Sequence, residues 1–70
     1  MLTFKMVDDN ILEVKETVHR LKSTEIRYFY YDIKNWKMSS FGREGDVLDR
    51  DMTESDIEWV KKYYLPKVNK

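Results

Sequence analysis

Apolar and polar residues alternate most regularly between residues 26 and 41, where the sequence reads IRYFYYDIKNWKMSSF. A turn over residues 34–35 places Asp32 opposite Lys37, which predicts an ion pair on one face of a hairpin. The same register places Tyr31 opposite Met38 on the other face, where large apolar side chains meet. The segment therefore predicts a β-hairpin over residues 26–41.

This hairpin sorts its side chains into two faces, because successive residues of a strand point in opposite directions. The more consistently apolar set is assigned to the core and consists of Phe29, Tyr31, Ile33, Trp36 and Met38. The other set presents aromatic rings between polar neighbours. Its exposed members are predicted to be Tyr28, Tyr30 and Phe41, which are the candidate aromatic binding residues.

Residues 2–21 allow two interpretations. In the first, residues 8–10 form a three-residue hairpin loop with Asn10 in the left-handed conformation. Strand pairing then matches residues of like character: Met6 with Leu12, Phe4 with Val14, Lys5 with Glu13, and Val7 with Ile11. In the second, Asn10 caps a helix that continues through Leu21. We favour a hairpin over residues 2–18, because cross-strand pairing explains the residues on both sides of the turn.

The C-terminal part predicts a loop followed by a helix. Residues 42–52 are acidic and glycine-containing, which is typical of a loop. Thr53 is the expected N-cap of a helix over residues 53–65, with Asp56 completing a capping box. One arc of the helix is apolar and is predicted to be buried: Ile57, Trp59, Val60, Tyr63 and Tyr64. Pro66 is expected to end the helix and leave residues 66–70 frayed.

Together these elements predict an α+β fold, with a small antiparallel sheet of about four strands and the C-terminal helix packed on one face. Seventy residues suit a single domain with a small core. The chain contains no cysteine, so disulfides are excluded. The chain has ten aromatic residues, whose large buried area could compensate for the small size of the core. Formation of a homodimer could stabilise the domain as well.

Charge is distributed unevenly, although the net charge is zero. Seven acidic residues and one arginine lie between positions 44 and 58. Four of the acidic residues are candidate protein-binding residues: Glu44, Asp46, Asp49 and Asp51. Such a segment could imitate a row of phosphates and occupy a nucleic-acid-binding groove on another protein. A solvated loop with helix-dipole compensation is the simpler explanation, and it is preferred.

Catalytic and metal-binding chemistry is not indicated. His19 is the single histidine, and no nucleophile, phosphate-loop or zinc-protease signature accompanies it. The spacing of the acidic residues lacks the pattern of a calcium loop. We therefore expect no enzyme activity, no cofactor and no metal. The opening residues lack the apolar region of a signal peptide, and no apolar run is long enough to span a membrane, so a cytoplasmic protein is expected.

These observations predict a small protein-interaction module that acts as a regulator or inhibitor. The partner is expected to be another protein, bound through the aromatic sheet face, the acidic segment or both. The alternative is binding of single-stranded nucleic acid by the same aromatic rings, which could stack on bases. The neutral net charge makes nucleic acid the less favoured partner.

Overall fold

A computed structural model describes residues 1–68 and shows a five-stranded antiparallel sheet followed by a helical segment. The strands run in sequence order across the sheet: β1 (Leu2–Asp8), β2 (Ile11–His19), β3 (Thr24–Asp32), β4 (Lys37–Met38) and β5 (Arg50–Asp51). The α+β prediction is confirmed. The fifth strand is only two residues long and comes from the end of the segment predicted to be a loop.

The first hairpin confirms the strand interpretation of residues 2–18. Phe4 pairs with Val14 and Met6 pairs with Leu12, as predicted. The expected pair between Val7 and Ile11 is wrong, because a register irregularity between Met6 and Asp8 puts Asp8 opposite Ile11. This irregularity leaves residues 9–10 as the turn, and Asn10 does not adopt the left-handed conformation that was predicted for it.

The second hairpin has the predicted register but lacks the predicted ion pair. Tyr31 pairs with Met38, and Asp32 pairs with Lys37. The Asp32 carboxylate instead accepts hydrogen bonds from the backbone N–H groups of Asn35 at 3.0 Å and Lys34 at 2.9 Å, and these hydrogen bonds lower its pKa. Lys37 forms its ion pair with Asp51 of β5. Backbone N–H groups of the turn are therefore the partners of the Asp32 carboxylate, in place of the Lys37 ammonium group that was predicted.

Trp36 closes the turn between β3 and β4. Its backbone N–H donates to the carbonyl of Asp32 at 2.8 Å, and its φ angle is 55°. This is the left-handed region, which a bulky residue rarely occupies. The ring is half-buried and packs against the core, as does Ile33. Both residues lie in the turn and outside the strand ladder.

The core lies between one face of the sheet and the helical segment. We call this face the helix face, and its opposite the loop face. The buried cluster joins residues from three strands, the residue before the helix N-cap Thr53, and the helical segment: Leu12, Val14, Tyr31, Met38, Met52 and Val60. Leu12, Val14 and Val60 are the most completely enclosed. The other apolar residues that pack against this cluster are only half-buried, so the core is small.

The helical segment consists of three geometries in succession: α1 (Glu54–Trp59), a π turn (Val60–Tyr64) and a 3₁₀ turn (Leu65–Lys67). The predicted capping box is confirmed, because the Thr53 hydroxyl and the Asp56 carboxylate each accept a hydrogen bond from the other's backbone N–H. The predicted stop at Pro66 is wrong. Pro66 lies in the first turn of the 3₁₀ segment, where proline loses no hydrogen bond.

The expected frayed tail is only partly testable, since residues 69–70 lie outside the described residues. Val68 packs against the core. Within the described part of the chain, the C-terminal segment therefore remains attached to the sheet as far as residue 68.

Trp59 and Tyr63 are not core residues, contrary to the prediction. Their exposed fractions are 53% and 44%. The predicted apolar arc spans about 160° at about 100° per residue, which is wider than the face that a narrow sheet can cover. Ile57, Val60 and Tyr64 occupy the covered half of the arc. Trp59 and Tyr63 occupy the other half and extend beyond the sheet.

Candidate protein-binding surfaces

The loop face of the sheet is covered in part by residues 39–49, which we call the loop 39–49. Tyr30 lies beneath it and is only 7% exposed. The Tyr30 hydroxyl donates to the Glu13 carboxylate at 2.9 Å and accepts from the Gly45 backbone N–H at 3.0 Å. Burial raises the pKa of this hydroxyl, and the Glu13 carboxylate raises it further, against the opposite effect of the Gly45 N–H. The prediction that Tyr30 is an exposed binding residue is therefore corrected.

Tyr28 lies at the margin of the same face and is half-buried. Its ring is nearly parallel to that of Tyr30, with centroids 6.4 Å apart and an interplanar angle of 6°. The ammonium group of Lys15 lies 5.9 Å from the Tyr28 ring centroid. Tyr28 thus offers part of one ring to solvent, beside a cation.

Phe41 is the most exposed of the predicted aromatic residues, with 64% of its surface accessible. The guanidinium of Arg43 lies 5.1 Å from the ring centroid, within the range of a cation–π interaction. Val47, in the same loop, is 56% exposed. The loop 39–49 therefore projects two apolar side chains outward, although the segment is mostly polar.

Hydrogen bonds to β3 fix the position of this loop. Ser39 bonds Tyr30 twice, through its backbone N–H to the Tyr30 carbonyl and through its Oγ to the Tyr30 N–H, both at 3.0 Å. The Gly42 carbonyl accepts from the Tyr28 N–H at 3.0 Å. Gly42 and Gly45 each have a φ of 72°, a conformation that glycine adopts without strain. The loop follows the sheet and then turns back over Tyr30.

The carboxylate of Asp46 stabilises the loop from within. It accepts hydrogen bonds from the backbone N–H groups of Phe41 at 2.7 Å and Val47 at 2.8 Å. The loop encloses this side chain completely, although the loop itself lies at the surface. Desolvation would raise the pKa of Asp46, but the two backbone donors and the nearby Arg43 outweigh it and lower the pKa. Asp46 therefore fixes the backbone positions of the two exposed apolar residues, Phe41 and Val47.

The other predicted acidic residues have different surroundings. Asp49 accepts a hydrogen bond from the Ser40 hydroxyl at 2.8 Å, and Asp51 pairs with Lys37. Glu44 is exposed and has no hydrogen bond or ion pair to any residue from 1 to 68. Asp46, Asp49 and Asp51 thus stabilise the chain itself, whereas Glu44 projects its charge into solvent from the same loop as Phe41.

A second apolar surface lies on the helix face, where the sheet meets the helical segment. It is a shallow groove lined by Leu2, Phe4, Trp59, Tyr63, Tyr64 and Lys67. The Trp59 and Tyr63 rings are 4.4 Å apart, and the Phe4 and Tyr64 rings are 5.2 Å apart. Sequence reasoning missed this groove because it placed all the aromatic residues of the helix in the core. The excessive width of the apolar arc was the signal that could have revealed it.

The part of the chain from residue 1 to residue 68 contains no cluster of three histidine or acidic residues arranged to hold a metal ion. His19 is exposed at the end of β2, where its Nδ1 lies 3.4 Å from the Thr24 hydroxyl. None of the helical segments described here has the length and apolar character needed to cross a bilayer.

Comparisons of the chain with protein-family models, with curated proteins and with solved structures find no significant match. The two surfaces described above therefore carry the functional interpretation.

Proposed function

We propose that this protein is a non-catalytic interaction module that binds another protein through the exposed part of the loop 39–49. The proposal rests on one observation, which is that an exposed phenylalanine, Phe41, is held on a loop anchored by buried polar bonds. An anchored aromatic side chain is a typical centre of a protein interface, because it offers a large apolar area with little ordering cost.

The surroundings of Phe41 support a protein partner. The Arg43 guanidinium lies over its ring, Glu44 carries an exposed charge in the same loop, and Val47 adds exposed apolar area. An exposed aromatic residue surrounded on the surface by charged and polar neighbours resembles the apolar centre and polar rim of a protein interface. A partner with an apolar pocket bordered by charges of both signs would fit this surface.

Mimicry of nucleic acid by the acidic residues is a second way in which this loop could bind a protein, but it has less support. It requires a row of carboxylates that a basic groove can bind. Asp46 is enclosed and bonded to the backbone, and Asp51 is paired with Lys37. Inhibition or regulation would therefore depend mainly on the apolar contact at Phe41, with Glu44 providing orientation.

Direct binding of single-stranded nucleic acid requires exposed rings and cations along one track. Tyr30 is enclosed, and the nearby cations Lys37 and Arg43 each lie close to a carboxylate, that of Asp51 for Lys37 and that of Asp46 at 3.8 Å for Arg43. Among residues 1–68, the other cation on this face with an aromatic partner is Lys15, which lies beside Tyr28. This alternative is tested together with the main proposal.

The test is affinity capture from an extract of the source organism, with wild-type protein, Phe41→Ser and the matched control Trp59→Ser. Phe41 and Trp59 are both exposed aromatic residues, but they lie on different surfaces. We expect a partner that wild type and Trp59→Ser retain and that Phe41→Ser binds about thirtyfold more weakly once the purified pair is titrated.

Titration with labelled single-stranded oligonucleotides completes the experiment. We expect no salt-sensitive binding. Tight oligonucleotide binding that is lost on mutation of Lys15 or Tyr28 would contradict the proposal and favour the nucleic-acid alternative. Equal capture of every protein by wild type and Phe41→Ser would contradict a role for this loop.

A further inference from the structure

The outer edge of β1 has no partner strand within the described residues. Met1 and Thr17 exchange two backbone hydrogen bonds, at 2.9 and 2.8 Å. Such mutually bonded pairs alternate along an antiparallel ladder. Consequently the N–H and C=O groups of Leu2, Phe4 and Met6 point away from β2, toward the open edge. This edge presents a row of unpaired backbone donors and acceptors, which can template the addition of another strand.

The apolar groove described above adjoins this same edge. Leu2 and Phe4 of β1 form one wall, and Trp59 and Tyr63 of the helical segment form the other. Leu2 is 43% exposed, in addition to the two exposed rings. Hydrogen-bonding capacity and exposed apolar surface therefore occur side by side. An added strand could use both at once.

We propose that the occupant of this edge is β1 of a second copy of the chain, which forms an antiparallel two-fold dimer. The proposal concerns a different surface from the loop 39–49 and does not depend on the proposed function. Phe4 lies on the two-fold axis and faces its symmetry mate. Leu2 then faces Met6 of the other copy, and Thr3 faces Lys5.

Charge and strand geometry select this register. Only residues whose backbone groups point outward can bond across the new interface, so alternative registers differ by two residues. Shifting the pairing one way places Lys5 opposite Lys5 of the other copy, which is repulsive. Shifting it the other way pairs only residues 2–4 of the strand. The Phe4-centred register uses residues 2–6 and avoids the irregularity that follows Met6.

The two-fold axis of this pairing is perpendicular to the sheet, so the two helical segments lie on the same side of the enlarged sheet. The Trp59 and Tyr63 pairs of the two copies then approach each other across the axis and cover one another. A second copy also supplies apolar side chains that can cover the groove, since its β1 presents Leu2, Phe4 and Met6 on the helix face. A β1 strand is thus complementary to itself in apolar character.

The available area predicts a weak dimer. Half-exposed aromatic side chains contribute about 100 Å² each, so the patch provides less than the roughly 800 Å² per partner of a standard interface. The chain does expose more surface than a typical monomer of its mass, at 5274 Å² against about 4,700 Å². Association should therefore be reversible and visible only over a range of concentrations.

Sedimentation equilibrium over about three decades of concentration is the first test. We expect a reversible monomer–dimer equilibrium for wild type. Trp59→Ser should weaken dimerisation, whereas the matched control Phe41→Ser should not. A wild-type chain that is monomeric at every concentration would overturn the proposal, and so would equal effects of the two variants.

Substitutions of Thr3 test the Phe4-centred register of the two β1 strands. Thr3→Glu places a carboxylate opposite Lys5 in both symmetric halves and should tighten the dimer about fivefold, whereas Thr3→Lys should loosen it by a similar factor. Thr3 also faces Lys15 within the same chain, so thermal melting of dilute monomer is measured for both variants to separate the intramolecular effect. No difference in dimerisation between the two variants would exclude this register.

Cross-linking provides an independent test, because the natural chain has no cysteine. Thr3 and Lys5 of opposite copies form a closely spaced pair with Cα atoms about 4.5 Å apart, within disulfide range. Mixing Thr3→Cys with Lys5→Cys under oxidised glutathione should yield the mixed disulfide faster than either homodimer. Statistical cross-linking, with no preference for the mixed product, would overturn the Phe4-centred pairing.

Discussion

The two faces of the sheet are stabilised in opposite ways, and two adjacent tyrosines illustrate the contrast. Tyr31 is buried on the helix face among apolar side chains, and burial raises its pKa to about 12. Tyr30 is equally buried on the loop face, where its hydroxyl bonds Glu13 and Gly45. The helix face depends on apolar contact, whereas the loop face depends on hydrogen bonds to a polar loop.

This difference bears on function. A surface fixed by hydrogen bonds can orient an exposed side chain such as Phe41 without enlarging the core. An apolar surface that extends past its cover instead leaves rings such as Trp59 partly in water. We propose that the first arrangement serves recognition of a different protein and that the second serves pairing with a second copy of the same chain.

The largest loss of stability is expected from a substitution at the centre of the helix face. Leu12 has no exposed surface and contacts the main core cluster. Leu12→Ala should reduce the free energy of unfolding by about 2–5 kcal/mol, because it removes apolar contact and leaves a cavity. Chemical denaturation followed by tryptophan fluorescence would measure this change. A loss below about 1 kcal/mol would contradict the location of the core.

The tyrosine pair gives the sharpest test of the comparison. Tyr30→Phe should lower the free energy of unfolding by about 1–2 kcal/mol, since it removes the hydroxyl that bonds Glu13 and Gly45. Tyr31→Phe is the matched control and should change stability little, because the Tyr31 hydroxyl has no hydrogen bond within the described residues. Equal losses in the two variants would show that the faces do not differ as described.

The smallest expected change in stability concerns Asp46 in the loop 39–49, whose contribution depends on pH. The pKa of Asp46 is lowered from 3.8, so its ionised form is favoured by folding. The stability that it contributes is complete above pH 3.8 and is lost as the pH falls through the lower value of the folded state. Asp46→Asn should therefore be less stable than wild type at neutral pH, and the difference should shrink in acid.

Thermal melting between neutral pH and about pH 2 would measure this convergence. Asp49→Asn is a suitable control, because Asp49 bonds a single exposed hydroxyl and no backbone donor. A stability difference between wild type and Asp46→Asn that stays constant across this range would contradict the role assigned to the carboxylate.

Local pairing and capping were determined by the sequence alone. The registers that match Phe4 with Val14 and Tyr31 with Met38 follow from neighbouring segments joined by short turns. The capping box of Thr53 and Asp56 follows from residues three positions apart. In each case the interacting residues are close in the chain, so the alternation of side chains and the identity of the turn residues are sufficient to predict the contact.

Tertiary structure alone decided which aromatic residues are covered. Tyr30 is buried because residues 39–49 fold back over it, and Trp59 is exposed because no strand among residues 1–68 lies beyond β1 to cover it. The pattern of each element shows which side chains share a face, but not what lies above that face. Burial depends on the length and path of distant segments, and these are set by the packing of the whole chain.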